Sequence, residues 1–500
     1  MMTTGFGTFL ISIRCAPLMC ILLLLLSAKP SAWASVSSQT TPSRTDCGQT
    51  ESVAKDRFLA ALAAYQAQQY AAAESVLKPL VKSAPDSFDV NELLGLVYVA
   101  EDKHQEANAF LAKAVQLKPE AAEARTRLAT NLLALGQADR AEVHFKKVAE
   151  MERGSYDANH NLGEFYIQVG KISNAIPFLK RAQEIDPSAY NNGYDLALAL
   201  QQTGQFDQAR EQLHKLIALR DSAELHSLLG DVEEKVRNYL SSAEQYEQAA
   251  RMDPSEQNIL NWGAELILHQ TFAAAIEVFK AGIVRFPQSP QLHNGLGIAL
   301  YGAGQVDDAV RSYFQASDLA PSDPLPLTFL GKACDGASPD LAAEIRSRLQ
   351  SFLNNHTKSS ITMMRAELNY DLALCLWRGN EIDSHPELAN QIESLLKRSL
   401  TLDPNYADAY FQLGNLYSER HSYEEAIAQY ERALKVNANS ANFHYRLGQA
   451  LARAGKIARA QEEFTNFDRL RKTETDATNK QQAQIQQFVY TIRKSDSEQQ

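Results

Sequence analysis

Apolar positions along this chain recur at i, i+3, i+4 and i+7 in short stretches, the rhythm of helices that bury one face. The stretches come in pairs. Within a pair, a brief polar turn such as Ala134-Leu135-Gly136-Gln137 or Gln202-Thr203-Gly204-Gln205 separates the two, so each pair predicts a helical hairpin. One hairpin cannot cover its own apolar stripe, whereas a row of them shares a continuous core.

The hairpins repeat with a fixed period. After Gly95 come Ala107, Leu111, Ala114 and Pro119; the same spacing returns with Gly163, Ala175, Leu179, Ala182 and Pro187, with Gly263, Ala275, Phe279, Gly282 and Pro287, and with Gly297, Ala309, Tyr313, Ala316 and Pro321. Weaker copies hang on Ala129, Ala197, Gly230, Gly414 and Gly448, and the small residues at 95, 129, 163, 197, 230, 263 and 297 are 34, 34, 34, 33, 33 and 34 apart. The small residues let the two backbones of a hairpin approach, Leu111, Phe145, Phe279, Tyr313 and Tyr430 fill the space between hairpins, and proline at 85, 119, 187, 254, 287, 321 and 404 stops each second helix. These marks, strongest in Leu94-Gly95-x2-Tyr98 and in Tyr410 to Tyr417, resemble the tetratricopeptide repeat family over most of residues 54–472. The resemblance implies an all-α, right-handed superhelical solenoid of about twelve helix-turn-helix repeats. The duplicated pentapeptide YDLAL, at Tyr194–Leu198 and Tyr370–Leu374, is then two first helices in one register.

Breaks in the pattern suggest boundaries. Asp335-Gly336-Ala337-Ser338-Pro339 interrupts one hairpin, 355–361 reads as a linker, and Gly379 to His385 lengthens the next turn. The expected organisation is a signal peptide (1–34), a disordered lead-in (35–53), an array at 54–354, the linker, a second array at 362–472 and a capping helix with tail (473–500). One uninterrupted array with a bulge at the linker is an equal reading. Ile485, Phe488, Val489 and Ile492 form the stripe with which the last segment would cover the end of the stack.

The leader reading rests on Arg14, the apolar run Ala16–Ala28 and Ala32-Trp33-Ala34, a pattern for export with cleavage after Ala34 and no stable membrane insertion afterwards. A periplasmic or extracellular protein is the expectation. Loss of Arg14 and Lys29 moves the net charge from −11 to −13, which disfavours nucleic acid as a partner. Cys47, Cys334 and Cys375 would remain. They leave open a Cys334–Cys375 bridge or two buried free thiols, of which the thiols are the preferred reading.

No catalytic set stands out. The eleven histidines show no H-x3-H or HExxH, and the chain has no CxxC, GxxxxGK[ST], GxGxxG after a strand, or GxSxG, so no metal, cofactor or enzymatic activity is expected. The family resemblance instead implies that partner proteins or extended peptides lie in a concave groove lined by first helices. Helical geometry places Glu92, His160, Glu164, Tyr194, Asp195, Asp231, Glu234 and Asn294 on that face in the long array, and Tyr370, Phe411, Asn415, Tyr445, Gln449 and Arg453 in the short one. The first set suits basic or amide-rich segments and the second apolar anchors. Some family members clamp a terminal carboxylate with Lys, Asn and Arg; here Asn415 and Arg446 lack the matching lysine. The resulting expectation is a non-enzymatic scaffold in envelope assembly, secretion or polysaccharide export. The alternative is a regulatory or substrate-recruiting subunit of an enzyme, such as a glycosyltransferase, whose catalytic domain lies on another chain. The partner and the oligomeric state are not legible in the sequence.

Overall fold

Serine residues ahead of the apolar bursts begin many of the first helices. Ser87, Ser155, Ser222, Ser255 and Ser289 each accept a hydrogen bond from the backbone N–H three residues on, relieving one of the unpaired donors at a helix start. Proline sets the other end: helices stop at Ser83, Leu117, Ile185, Met252, Arg285, Leu319 and Leu402, each two residues before one of the seven prolines.

A computed structural model describes residues 47–356, 362–378, 380 and 385–473. The expected leader, the stripe at Ile485 to Ile492 and most of the expected linker lie outside the described residues. Among the described residues every regular element is a helix. They fall into two compact units divided between Asp221 and Ser222. The first unit holds five hairpins: α1 (Cys47–Gln66) with α2 (Tyr70–Ser83), α3 (Phe88–Ala100) with α4 (His104–Leu117), α5 (Ala122–Ala134) with α6 (Ala138–Met151), α7 (Tyr156–Gln168) with α8 (Ile172–Ile185), and α9 (Tyr190–Gln202) with α10 (Phe206–Leu219). Helix α1 starts ahead of the expected array boundary at 54, because the run from Gln49 to Gln66 carries no glycine or proline to stop it.

The second unit continues with α11 (Ala223–Lys235) and α12 (Tyr239–Met252), α13 (Glu256–Leu268) and α14 (Phe272–Arg285), α15 (Pro290–Gly302) and α16 (Val306–Leu319), α17 (Leu325–Ala333) and α18 (Pro339–Asn355), α19 (Thr362–Trp377) and α20 (Pro386–Leu402), α21 (Ala407–Glu419) and α22 (Tyr423–Val436), and α23 (Ala441–Arg453) with a last helix over 457–473. One apolar core runs from Ile259 to Leu416, so packing is continuous from α18 to α19 on either side of the expected linker.

Each regular hairpin closes in the same way. In one such turn, Gln137 N–H reaches back to Leu132 O at 2.8 Å around Gly136, which has φ 71°, a left-handed cap that glycine adopts without strain. Gln68, Asp102, Arg237, Gln270 and His421 hold the equivalent place with φ between 57° and 64°.

The small residues of the repeat do what their spacing suggests. A Cβ on Gly95 would stand 2.7 Å from Leu111, and one on Gly414 2.7 Å from Tyr430, so helices cross where only hydrogen separates them. Gly163, Gly230, Gly263, Gly297 and Gly448 likewise face a large residue on the second helix of their own hairpin: Leu179, Tyr246, Phe279, Tyr313 and Phe464. In the YDLAL copies, Leu196, Ala197, Leu372 and Ala373 are all buried.

One expectation is corrected here. Cys334 and Cys375 are not two buried free thiols: they form a disulfide, with Cα atoms 5.7 Å apart, a separation suited to the bond. Packing of α17 against α19 brings them together, and both residues are buried.

Candidate binding surface

First helices bury one side against their second helices and present the other. In the first unit this presented side carries a run of polar and aromatic groups on α3, α7 and α9. Glu92 pairs with Arg127 at 2.8 Å, yet burial outweighs that guanidinium and raises its carboxyl pKa. His160 stacks on Tyr156, with ring centroids 5.3 Å apart, and its Nδ1 meets Asn192 Oδ1 at 3.2 Å. Glu164 accepts a hydrogen bond from Gln168 at 3.2 Å. Tyr194 stacks on Tyr190, which in turn carries the Arg220 guanidinium 3.6 Å above its ring. Beside them Asp195 is half-buried; burial pushes its carboxyl up to about 6, His160 opposing and Glu164 adding to the shift. His160, Glu164, Tyr194 and Asp195 thus form one cluster.

In the second unit Asp231 accepts the Tyr246 hydroxyl, and Glu234 meets His269 Nε2 at 3.0 Å. His269 also lies 3.4 Å from the buried Glu265. Burial alone would lower the imidazole pKa, but the hydrogen bonds of Glu234 and Glu265 outweigh it and raise it to about 9. The ligand atoms of Glu234, Glu265 and His269 lie within 4.8 Å of one another, the one such group found among the described residues. This triad could hold a divalent ion if the imidazole gave up its proton; with the proton in place it is a cation between two carboxylates. Of the three the sequence singled out only Glu234, on α11; Glu265 lies in α13 and His269 caps its end, and spacing alone does not bring them to Glu234.

Two predicted groove residues face inward. Asn294 is only 6 % exposed, held on the packed side of α15. Phe411 is equally buried, stacked 4.6 Å from Phe443 and tilted against Tyr430 at 5.7 Å; the next hairpin covers it. Asn415 accepts the Tyr430 hydroxyl at 2.7 Å. Tyr445, 37 % exposed, lies beside Phe467 at 5.0 Å, Gln449 accepts from Arg446 at 3.4 Å, and Arg453 is exposed.

A concavity on these first-helix faces belongs to three consecutive ones, α17, α19 and α21. It has a volume of about 600 Å³ and is lined by Tyr370, Trp377 and Tyr406 together with Glu367, Asp371 and Asp408. Tyr370 and Tyr406 approach to 5.0 Å at an interplanar angle of 48°. Of this group only Tyr370 was expected on the groove. The sequence does hold a signal for the rest: the residue sixteen after Gly331, where other hairpins place Leu, Phe or Tyr, is Ser347.

Comparisons with known proteins agree with the repeat. Profiles described as tetratricopeptide repeat match residues 58–122, 126–190 and 260–324, residues 98–150 and 167–232, and residues 395–428; one described as TPR repeat matches 414–455. No curated protein shows significant similarity to the chain. Similar solved structures include the APC/C hetero-tetramer Cut9–Hcn1 (15% identity, 86% of this chain and 96% of that chain, TM-score 0.37). Yeast Tom70 is another (14% identity, 81% and 96%, TM-score 0.39), as is YrrB, described as a TPR protein with an unusual peptide-binding site (18% identity, 37% and 95%, TM-score 0.32).

Proposed function

The chain belongs to the tetratricopeptide repeat family, and from that premise we propose that it is a non-enzymatic scaffold outside the cytoplasm that holds extended segments of partner proteins against its first helices. The observation that carries the reading is the concavity across α17, α19 and α21: three successive hairpins leave aromatic rings and carboxylates facing a common space rather than packing it shut. Residues that present both an apolar body and a polar tip are those that anchor bound segments. Export is supported by the leader pattern at residues 14–34 and, independently, by the Cys334–Cys375 disulfide, since such bonds persist in oxidising compartments. Among the described residues no helix is long and apolar enough to cross a membrane. Envelope assembly, secretion or polysaccharide export would use such a holder.

The test is selection from a random 15-residue peptide library displayed on phage, with the full chain and its Tyr370→Ala/Tyr445→Ala variant immobilised in parallel. Wild type is expected to enrich a family of peptides that the folded variant binds at least tenfold more weakly. Equal enrichment by both proteins, or none by either, would refute groove binding.

A further inference from the structure

One register glycine is used differently from the others. Gly95, Gly163, Gly230, Gly263, Gly297, Gly414 and Gly448 make room for an apolar or aromatic side chain of their own hairpin, but the room beside Gly331 is taken by a carboxylate. A Cβ there would stand 2.5 Å from Asp371 Cβ and 2.6 Å from its Oδ2. The irregular hairpin makes the exchange: α17 is nine residues long, against thirteen for α15 before it and sixteen for α19 after it, and Ser347 replaces the large residue. Helix α19 closes up on α17, the disulfide fastens the two, and Asp371 slides into the vacated place.

Asp371 is 4 % exposed, and its Oδ2 has no hydrogen-bond partner among the described residues. An unpaired carboxylate at that depth is costly. The nearby cations are committed elsewhere. Lys332 pairs with Glu367 at 2.9 Å, and Arg378 donates to the carbonyls of Cys334 and Ala337 while meeting Asp335 at 3.4 Å. Around the cavity, Asp335, Glu367, Asp371 and Asp408 outnumber these two cations. The Tyr370 and Tyr406 rings and Trp377 offer the π-faces that attract an ammonium or guanidinium.

We infer that this cavity is a binding site for the cationic end of a lysine or arginine side chain, with Asp371 as its counter-ion and Tyr370, Trp377 and Tyr406 as its walls. The inference rests on the scaffold reading for the source of that side chain, a segment lying along the first helices. An apolar side chain would leave the carboxylate unpaired and an anion would be repelled, whereas a cation satisfies both the carboxylate and the rings. Without a ligand, burial and then Glu367 hold the Asp371 carboxyl well above the usual carboxylate range, Lys332 opposing. A bound cation favours the ionised carboxyl, so affinity is expected to rise with pH.

The probes are n-butylammonium and n-butylguanidinium chloride, with 1-butanol as neutral control, titrated into the full oxidised chain and followed by saturation-transfer NMR. Both cations are expected to bind, butanol to bind at least tenfold more weakly, and Asp371→Asn to lose at least tenfold in cation affinity at an unchanged melting temperature. Should that variant fail to fold, the rim substitution Asp408→Asn is expected to weaken both cations severalfold and leave butanol unchanged. Butanol binding as well as the cations, or full cation affinity in folded Asp371→Asn, would overturn the site. The library peptides separate this from the scaffold reading. Peptides that bind wild type and Asp371→Asn equally, with no need for Lys or Arg, overturn the cation site and leave the scaffold standing. Cation binding without any peptide binding sustains the site but overturns a peptide side chain as its occupant.

Discussion

Removing the disulfide should weaken one place in the chain far more than any other. The perturbation is Cys334→Ala/Cys375→Ala, compared with reduction of the wild type by a phosphine. The two cysteines are 41 residues apart, and for a loop of that length the lost constraint on the unfolded chain is worth about 4 kcal/mol, an upper figure because unfolded chains keep some structure. Both sulfurs are buried in the core, so alanine adds two small cavities at about 1 kcal/mol or less each. A repeat array unfolds by neighbouring hairpins rather than all at once, which confines the loss to α17, α18 and α19. Hydrogen exchange followed by mass spectrometry reads this directly. Protection over 325–377 is expected to fall by two to three orders of magnitude in both reduced and alanine forms, while 88–202 stays unchanged. Equal protection with and without the bond, or a loss spread evenly over both units, would refute the reasoning.

Other expectations follow from single residues. His269 has its pKa raised to about 9 from an ordinary 6.5, so its stabilising charge is fully present below about 6.5 and is lost as pH rises through about 9; melting temperature should decline over that window in wild type and not in His269→Gln, and parallel profiles would contradict the ion triad. Gly414→Ala gains about 1 kcal/mol in helix propensity but drives a Cβ to 2.7 Å from the fully buried Tyr430 ring, an overpacking cost of about 1–3 kcal/mol; chemical denaturation should show net destabilisation. Gln270→Gly relieves a left-handed residue at φ 57° and should stabilise by up to about 1 kcal/mol, with a lower midpoint counting against strain at that turn.

The repeat was legible in the sequence because a 34-residue step imposes the same steric demand again and again: a small residue, a large one sixteen later, a proline after the helix. Exposure on the presented face was not. Glu92, His160, Tyr194, Asn294, Phe411 and Tyr445 all stand three residues before the register residue, yet Asn294 and Phe411 are 6 % exposed and Tyr445 37 %. That position lies at the edge of its helix, and the neighbouring hairpin decides whether it is covered, as Phe443 covers Phe411. The α17–α19–α21 cavity was hidden for a similar reason. It depends on a departure from the repeat, and departures carry no periodic signal beyond marking that something has changed. The cysteine pairing needed the approach of α17 to α19, which spacing along the chain does not specify.

The place occupied by Asp371 also limits how this chain can be rebuilt. Regular hairpins such as α7–α8 or α15–α16 are close to interchangeable parts, and the array could be lengthened or shortened by one of them while keeping its register. The segment from Leu325 to Trp377 is not such a part. It contains a covalent stitch to the next hairpin and a glycine reserved for a neighbour's carboxylate, so replacing it with a regular repeat would restore the periodicity and erase the one cavity that the irregularity creates on this face. Exchange of regular repeats is therefore expected to keep the register outside α17 to α20 and to lose the cavity within them.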